Sequence, residues 1–157
     1  MNNRDESKRA KSIAIKRLAY RDRSRKEVAD TLTKKGIPQP VIRVTLDDLA
    51  ASNYINDERF AVNWCRSRIE NKKFGKFRVR QELIGKGLEP QLVEKVLRET
   101  YHEIDEFDLA EICAAKHLAK MKNLDKVKQR RRVAQFLQRK GFTFDIVGET
   151  LNKLIPY

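Results

Sequence analysis

Three 22-residue stretches of the chain align without a gap: VADTLTKKGIPQPVIRVTLDDL (Val28–Leu49), VRQELIGKGLEPQLVEKVLRET (Val79–Thr100) and VAQFLQRKGFTFDIVGETLNKL (Val133–Leu154). Each is centred on a glycine, Gly36, Gly87 or Gly141. Eight residues before the glycine stands a valine, four before it a leucine, and directly before it a lysine. An apolar residue follows at once (Ile37, Leu88, Phe142). Further apolar positions recur at Val41-Ile42, Leu92-Val93 and Ile146-Val147, and again at Leu46, Leu97 and Leu151. Agreement at so many positions marks a tandem repeat, and a repeat restricts the fold more than any composition does.

Val and Leu four residues apart form the buried stripe of a helix. The glycine supplies the left-handed residue that ends this helix, and the lysine before it meets the negative helix end. Pro38, Pro40 and Pro90 suit the restart, because proline is tolerated in a first turn. Ser24-x-x-Glu27 has the spacing of a capping box at the start of the first such helix. A further helical pattern precedes each copy, over Glu6–Tyr20, Asp57–Glu70 and Asp108–Met121. Period-two alternation and Asn-Gly turns are scarce. The expected fold is therefore all-α, with three tandem three-helix repeats over residues 1–55, 56–104 and 105–157. One repeat alone buries too little surface, so the repeats are expected to stack into an elongated, curved array.

The charge follows the repeat. Of 157 residues, 35 are Lys or Arg and 22 are Asp or Glu, for a net +13. The segments carry +7 (1–40), −2 (41–65), +6 (66–88), −6 (89–111), +9 (112–140) and −1 (141–157). Such alternation places the basic residues on the middle helix and its approach, a pattern suited to a polyanion or an acidic protein surface. The candidate contact residues are Arg21, Arg23, Arg25, Lys26 and Lys35 in the first repeat. In the second they are Arg66, Arg68, Lys72, Lys73, Lys76, Arg78, Arg80 and Lys86. In the third they are Lys126, Lys128, Arg130, Arg131, Arg132 and Lys140. Phe74 and Phe77 lie beside the central cluster, either stacking on bases or packing between helices.

Signatures of other chemistry are missing. Gly85-Lys86-Gly87 is a helix end and lacks the phosphate-loop spacing. Cys65 and Cys113 sit singly in helical patterns, where cysteine acts as a small apolar residue. His102 and His117 have no ligand partners at metal-site spacing. Asp57 and Glu58 read as helix N-terminal carboxylates, Asp47-Asp48 as a solvated face, and Trp64 as a core or contact residue. No catalytic residue, metal or cofactor is expected. The polar start, Met1–Lys11, and the absence of a long apolar run lead to the expectation of a soluble, cytoplasmic chain without membrane association.

Two segments carry a family resemblance. YINDERFAVNWCRSR (Tyr54–Arg68) followed by GKFRVRQELIGKGL (Gly75–Leu88) resembles the central signature of the RecX family, and YRDRSRKEVADTLTKKGI (Tyr20–Ile37) resembles its first-repeat segment. Asn53 stands where a glycine is usual, and Asn56 where an aspartate is common. The resemblance implies a small, monomeric, all-helical, non-enzymatic regulator of DNA repair, recombination and the SOS response. Its partners would be the RecA protein and the RecA filament on single-stranded DNA, bound in or along the filament groove. It would limit filament growth and lower RecA's ATP hydrolysis, strand exchange and co-protease activity. Direct contact with single- and double-stranded DNA fits the same charge pattern. The alternative is a sequence-tolerant DNA-binding helical module acting without RecA.

Overall fold

The computed structural model describes residues 2–157. Among these are nine α-helices and no strand: α1 (Asn3–Tyr20), α2 (Arg25–Lys34), α3 (Gln39–Ala51), α4 (Asp57–Ser67), α5 (Lys76–Gly85), α6 (Pro90–Thr100), α7 (Glu106–Leu118), α8 (Lys126–Lys140) and α9 (Phe144–Leu154). A π-helical turn, Arg68–Lys72, prolongs α4, and a 3-10 turn, Ala119–Met121, prolongs α7. The chain is all-α and built from three sets of three helices, as the repeat requires. No helix among the described residues is long and apolar enough to cross a membrane.

The middle helices end alike. Gly36, Gly87 and Gly141 have φ of +79°, +82° and +96°. The residue after each glycine donates its N–H to the leucine carbonyl five positions back: Ile37 to Leu32, Leu88 to Leu83 and Phe142 to Leu137, at 3.1–3.3 Å. Each glycine N–H reaches the carbonyl three positions back, at 2.9–3.0 Å. These two bonds form a Schellman motif, and its apolar partners Leu32/Ile37, Leu83/Leu88 and Leu137/Phe142 are all buried. The same pair of bonds ends α3, where Tyr54 N–H reaches Leu49 O and Asn53 N–H reaches Ala50 O. There Asn53 takes the left-handed conformation at φ +61°. Asparagine tolerates that region better than other side chains, so it can hold a position where glycine is usual.

The starts differ more from the expectation. Ser24 Oγ accepts the Glu27 N–H at 3.2 Å and donates to Lys86 O at 2.7 Å. The Glu27 carboxylate does not return to Ser24 but bonds Arg21, so only half of the capping box forms. Helix α1 begins at Asn3 rather than Glu6, because Asn2 Oδ1 accepts the Arg4 N–H at the helix start. Pro38 caps α3, and Pro90 opens α6.

The described residues form two compact units. One runs to Asn63 and takes in Leu83–Val93; the other comprises Trp64–Glu82 and Glu94–Tyr157. In the first, α1, α2 and α3 pack on one another around Ala10, Ala14, Val28, Leu32, Ile37, Val41, Ile42, Leu46 and Leu49. In the second, α7, α8 and α9 pack together. Their buried residues include Leu109, Ala110, Cys113, Ala114, Val133, Leu137, Phe142, Val147 and Leu151. The repeat positions are thus core positions. Even Thr45, Val96 and Thr150, nine residues after each glycine, are all buried.

A close backbone approach fixes the second unit. Gly75 N–H donates to Lys140 O at 2.9 Å. A Cβ on Gly75 would stand 2.4 Å from Gly141 O, and one on Gly141 would stand 2.5 Å from the Arg78 backbone nitrogen. These two glycines let the start of α5 rest directly on the end of α8. Around Gly36 a Cβ would meet open space. The expected outcome is that Gly36→Ala costs about 1 kcal/mol, from left-handed strain alone. Gly141→Ala should cost clearly more, because backbone must also move. Urea unfolding midpoints of the two variants check this; equal losses would remove the close approach from the account.

Candidate polyanion-binding surface

In the first unit most of the candidate cations are already partnered. Glu27, whose side chain is 16% exposed, faces Arg21 at 2.7 Å, Arg23 at 3.7 Å and Lys86 at 3.5 Å. Burial, then the charge of Arg21, pulls the Arg23 guanidinium below its ordinary range. Arg25 pairs with Asp47 at 2.6 Å, and its N–H donates to Asp57 Oδ1 at 2.8 Å. Asp57 therefore serves the first turn of α2 as well as its own helix. Lys26 pairs with Asp30 at 3.2 Å, and Lys11 with Asp48 at 3.1 Å. Asp47 and Asp48 are exposed, as expected, but each holds an ion pair. Arg59, not among the candidates, forks onto Asp22 at 3.1 and 3.2 Å. Lys35 has no carboxylate partner. It lines a concavity with Lys16, Arg17 and the highly exposed Tyr20. Lys16 and Arg17 escaped notice in the sequence because α1 is polar around most of its surface.

In the second unit the candidates divide into two groups. The first group is structural. Arg68 pairs with Glu82 at 3.1 Å and lies 4.3 Å over the Trp64 ring, while Trp64 Nε1 donates to the same carboxylate at 3.3 Å. Trp64 is thus a platform for Arg68. Arg78 lies 3.9 Å over Phe74 and donates to Arg139 O at 2.9 Å. Arg80 grips Glu94 through both carboxylate oxygens, at 2.5 and 3.2 Å, and that hydrogen bonding holds Glu94 below the usual carboxylate range. Arg130 donates to the carbonyls of Leu151 in α9 and of Ile155 just beyond it, and lies over Tyr157. Lys126 Nζ donates to Pro156 O, and Lys76 faces the Tyr101 ring.

The second group is uncommitted to carboxylates: Arg66, Lys72, Lys73, Lys128, Arg131, Arg132 and Lys140. Lys128, Arg131 and Arg132 are exposed on α8. Their spacing of three and four residues places them on one helix face, together with Arg139. Phe74 is buried beneath the cations and unavailable to a base, which decides between its two readings. Phe77 is half exposed beside Phe142 and Phe144.

Both cysteines are free and buried. Burial pushes the Cys65 thiol up to about 12 and raises Cys113 as well, the latter partly offset by Lys140, Lys73 and Lys116. Tyr101 is buried, its hydroxyl donating to Phe74 O at 2.7 Å. Among the described residues no group of three or more His, Cys, Asp or Glu side chains could hold a metal ion. The arrangement offers positive charge to a partner.

Comparison with known proteins adds an independent finding. Three family models match in tandem: the first RecX three-helix domain over residues 10–49, the second over 56–97 and the third over 103–151. The regulatory protein RecX of Chlorobium limicola is 30% identical over 148 residues, covering 92% of this chain and 89% of its own. That of Geobacillus kaustophilus is 36% identical over 149 residues, but this chain spans only 54% of its length. That of Bacillus pumilus is 34% identical, with 56% of its length spanned. The crystal structure of RecX from Lactobacillus salivarius superposes with a TM-score of 0.82, at 23% identity, covering 96% of this chain and 97% of that one.

One titration follows from the geometry. The His117 ring stacks flat on Phe136, with centroids 4.0 Å apart. Burial, then Lys120 and Arg139, lowers the His117 pKa from its ordinary value near 6.5. A lowered folded-state value means that the unfolded chain binds the proton first. Stability from this group is therefore full above about 6.5 and is lost as pH falls through that value toward the folded one. Urea midpoints at pH 7.5 and 5.5 should fall more for the unaltered chain than for His117→Phe, which keeps the stack. Equal falls would contradict the assignment.

Proposed function

The chain belongs to the RecX family of regulatory proteins, and from that premise we propose that it binds RecA and the RecA filament on single-stranded DNA. Bound there, it restrains the recombinase, ATPase and co-protease activities of RecA, as a cytoplasmic, monomeric regulator of repair and the SOS response. The observation that carries this reading is the set of exposed cations on α8, Lys128, Arg131 and Arg132, which have no carboxylate partner. Charge left unpaired on a folded surface is available to DNA phosphate or to acidic side chains of a filament. In contrast, Arg80 and Arg25 are engaged in surface ion pairs with Glu94 and Asp47.

The test is RecA ATPase on single-stranded DNA with this protein titrated in, alongside equilibrium binding to preformed filaments and to protein-free DNA at matched salt. Arg131→Glu with Arg132→Glu should weaken filament binding by about tenfold or more, since contacts to charged groups are worth about 1.5–3 kcal/mol each. Arg98→Glu, at an exposed position of α6, should have a much smaller effect. Inhibition and binding that survive the α8 reversal unchanged would contradict the reading. Tight binding to protein-free DNA, with none added by the filament, would instead support a DNA-binding module that acts alone.

A further inference from the structure

One concavity of the second unit gathers cations from three separate segments. Its wall carries Lys72 and Lys73 from the π-helical turn and its end, Lys116, His117 and Lys120 from α7 and the 3-10 turn, and Lys140 from the end of α8. The space is about 330 Å³, and no carboxylate lines it. The uncharged hydrogen-bonding side chains on the wall are Asn71, the Cys113 thiol and the His117 imidazole, whose pKa is lowered by burial. None of the five lysines has an ion pair, whereas Arg68 and Arg80 of the same unit are committed to carboxylates and Arg78 and Arg130 to carbonyls.

The arrangement is held in place. Lys140 Nζ donates to Lys72 O at 2.7 Å and lies 5.4 Å from the Phe74 and Phe136 rings. Lys73 Nζ donates to Glu70 O at 2.9 Å. The floor is Cys113, whose Sγ lies 3.9 Å from Lys73 O, and Phe136 stacked on His117 forms one side. Each pinned ammonium keeps further N–H groups for a ligand.

The packing also works against the protein's own stability. Lys116 at the end of α7 and Lys120 in the 3-10 turn are like charges on one wall, with no carboxylate there to offset their repulsion. Burial, and then the charges of Arg78, Lys72 and Lys116, press on Lys140 to shed its proton, with only Cys113 acting in the other direction. The backbone that presents Lys72 and Lys73 is irregular: a π-helical turn closed by Lys73 in the left-handed region at φ +56°. Both features are uncommon for ordinary side chains and tend to accompany functional sites. Carbonyl bonds account for the placement of Lys73 and Lys140, but five lysines on one wall with no carboxylate among them suit a dense anion.

We propose that this pocket binds a compact phosphate group carrying two or more negative charges, as in a pyrophosphate unit or a terminal phosphomonoester. A phosphodiester within a strand brings a single charge and is flanked by two bulky sugars, so it suits an open helix face better than a concavity. A terminal phosphate or pyrophosphate brings several charges into a small volume and can meet ammoniums from all three segments. Two sources share this chemistry: a nucleoside polyphosphate and the phosphorylated end of a DNA strand. The inference does not depend on the regulatory reading above, and its test contains no recombinase.

The experiment is calorimetric titration of the full chain with pyrophosphate at low salt. Lys116→Gln with Lys120→Gln should weaken binding by about tenfold or more, from the loss of two charge-assisted contacts. The control, Arg4→Gln with Lys8→Gln, removes the same charge from the exposed face of α1 and should change affinity less than about threefold. Thermal unfolding verifies that both variants are folded; if the lysine pair fails to fold, Lys72→Gln with Lys73→Gln takes its place. In parallel, bound pyrophosphate should raise the pKa of His117 followed by NMR. Further arms compare ATP with a short single strand bearing either a 5′-phosphate or a 5′-hydroxyl. Preference for the phosphorylated strand identifies strand ends as the source. Pyrophosphate and ATP binding without that preference identifies free nucleotides. No pyrophosphate binding, or equal loss in both double variants, overturns the proposal.

Discussion

Each middle helix stops on a glycine with positive φ, and the chain beyond takes its direction from that turn. The left-handed residue lets the next N–H fold back onto a leucine carbonyl, and this brings the apolar residue after the glycine onto the core. Without it the last carbonyls of α2, α5 and α8 would need water, and Ile37, Leu88 and Phe142 would point elsewhere. The following helix then presents its own stripe, Val41 to Leu46 or its counterparts, to the same interior. In the second unit the constraint goes further. Gly141 is both a cap and a place where the backbone of α5 approaches without an intervening side chain, with Gly75 opposite it. The positions of Arg78, Lys140 and the π-helical turn all follow from this contact.

Charge is allocated differently in the two units. In the first, Glu27 and Asp22 gather arginines, so a cluster that reads as strongly basic in sequence is largely internal neutralisation. Such partly exposed pairs stabilise little, about 0–1 kcal/mol each, but they orient side chains and remove free charge. In the second unit Glu82 and Glu94 engage Arg68 and Arg80, while the lysines around Cys113 and the outer face of α8 have no carboxylate. The positive charge that a partner can meet there is therefore localised, and a net charge of +13 overstates how widely it is offered.

Much of this was readable from the sequence because it rests on short-range rules. Periodicity gave the helices, the Lys-Gly pairs gave their ends, and the recurrence gave the threefold repeat. The capping box was half right: Ser24 depends only on local spacing, whereas Glu27 is redirected by Arg21, Arg23 and Lys86, the last of them distant in sequence. The same reason hid the role of Arg80, whose partner Glu94 lies fourteen residues away on another helix. Phe74 looked equivalent to Phe77, although only tertiary packing makes one buried and the other half exposed. The π-helical turn within the expected Asp57–Glu70 helix has no pattern of its own. Lys116 and Lys120 join Lys72, Lys73 and Lys140 only once α7 and α8 are packed, so no linear cluster announced them.

The central claim is that unpaired cations on a glycine-capped scaffold, and not apolar docking, carry recognition. Equilibrium titration against preformed RecA filaments at several salt concentrations tests it most directly, with filament integrity and the helicity of this protein followed at each point. Phosphate contacts on single strands contribute a log–log slope of about −0.7 each, so three or more contacts give a slope of about −2 or steeper. The expected result is that slope with unchanged helicity, because the buried Val, Leu and Ile stripes do not weaken in moderate salt. Affinity that stays flat across the series while filaments remain intact would contradict it.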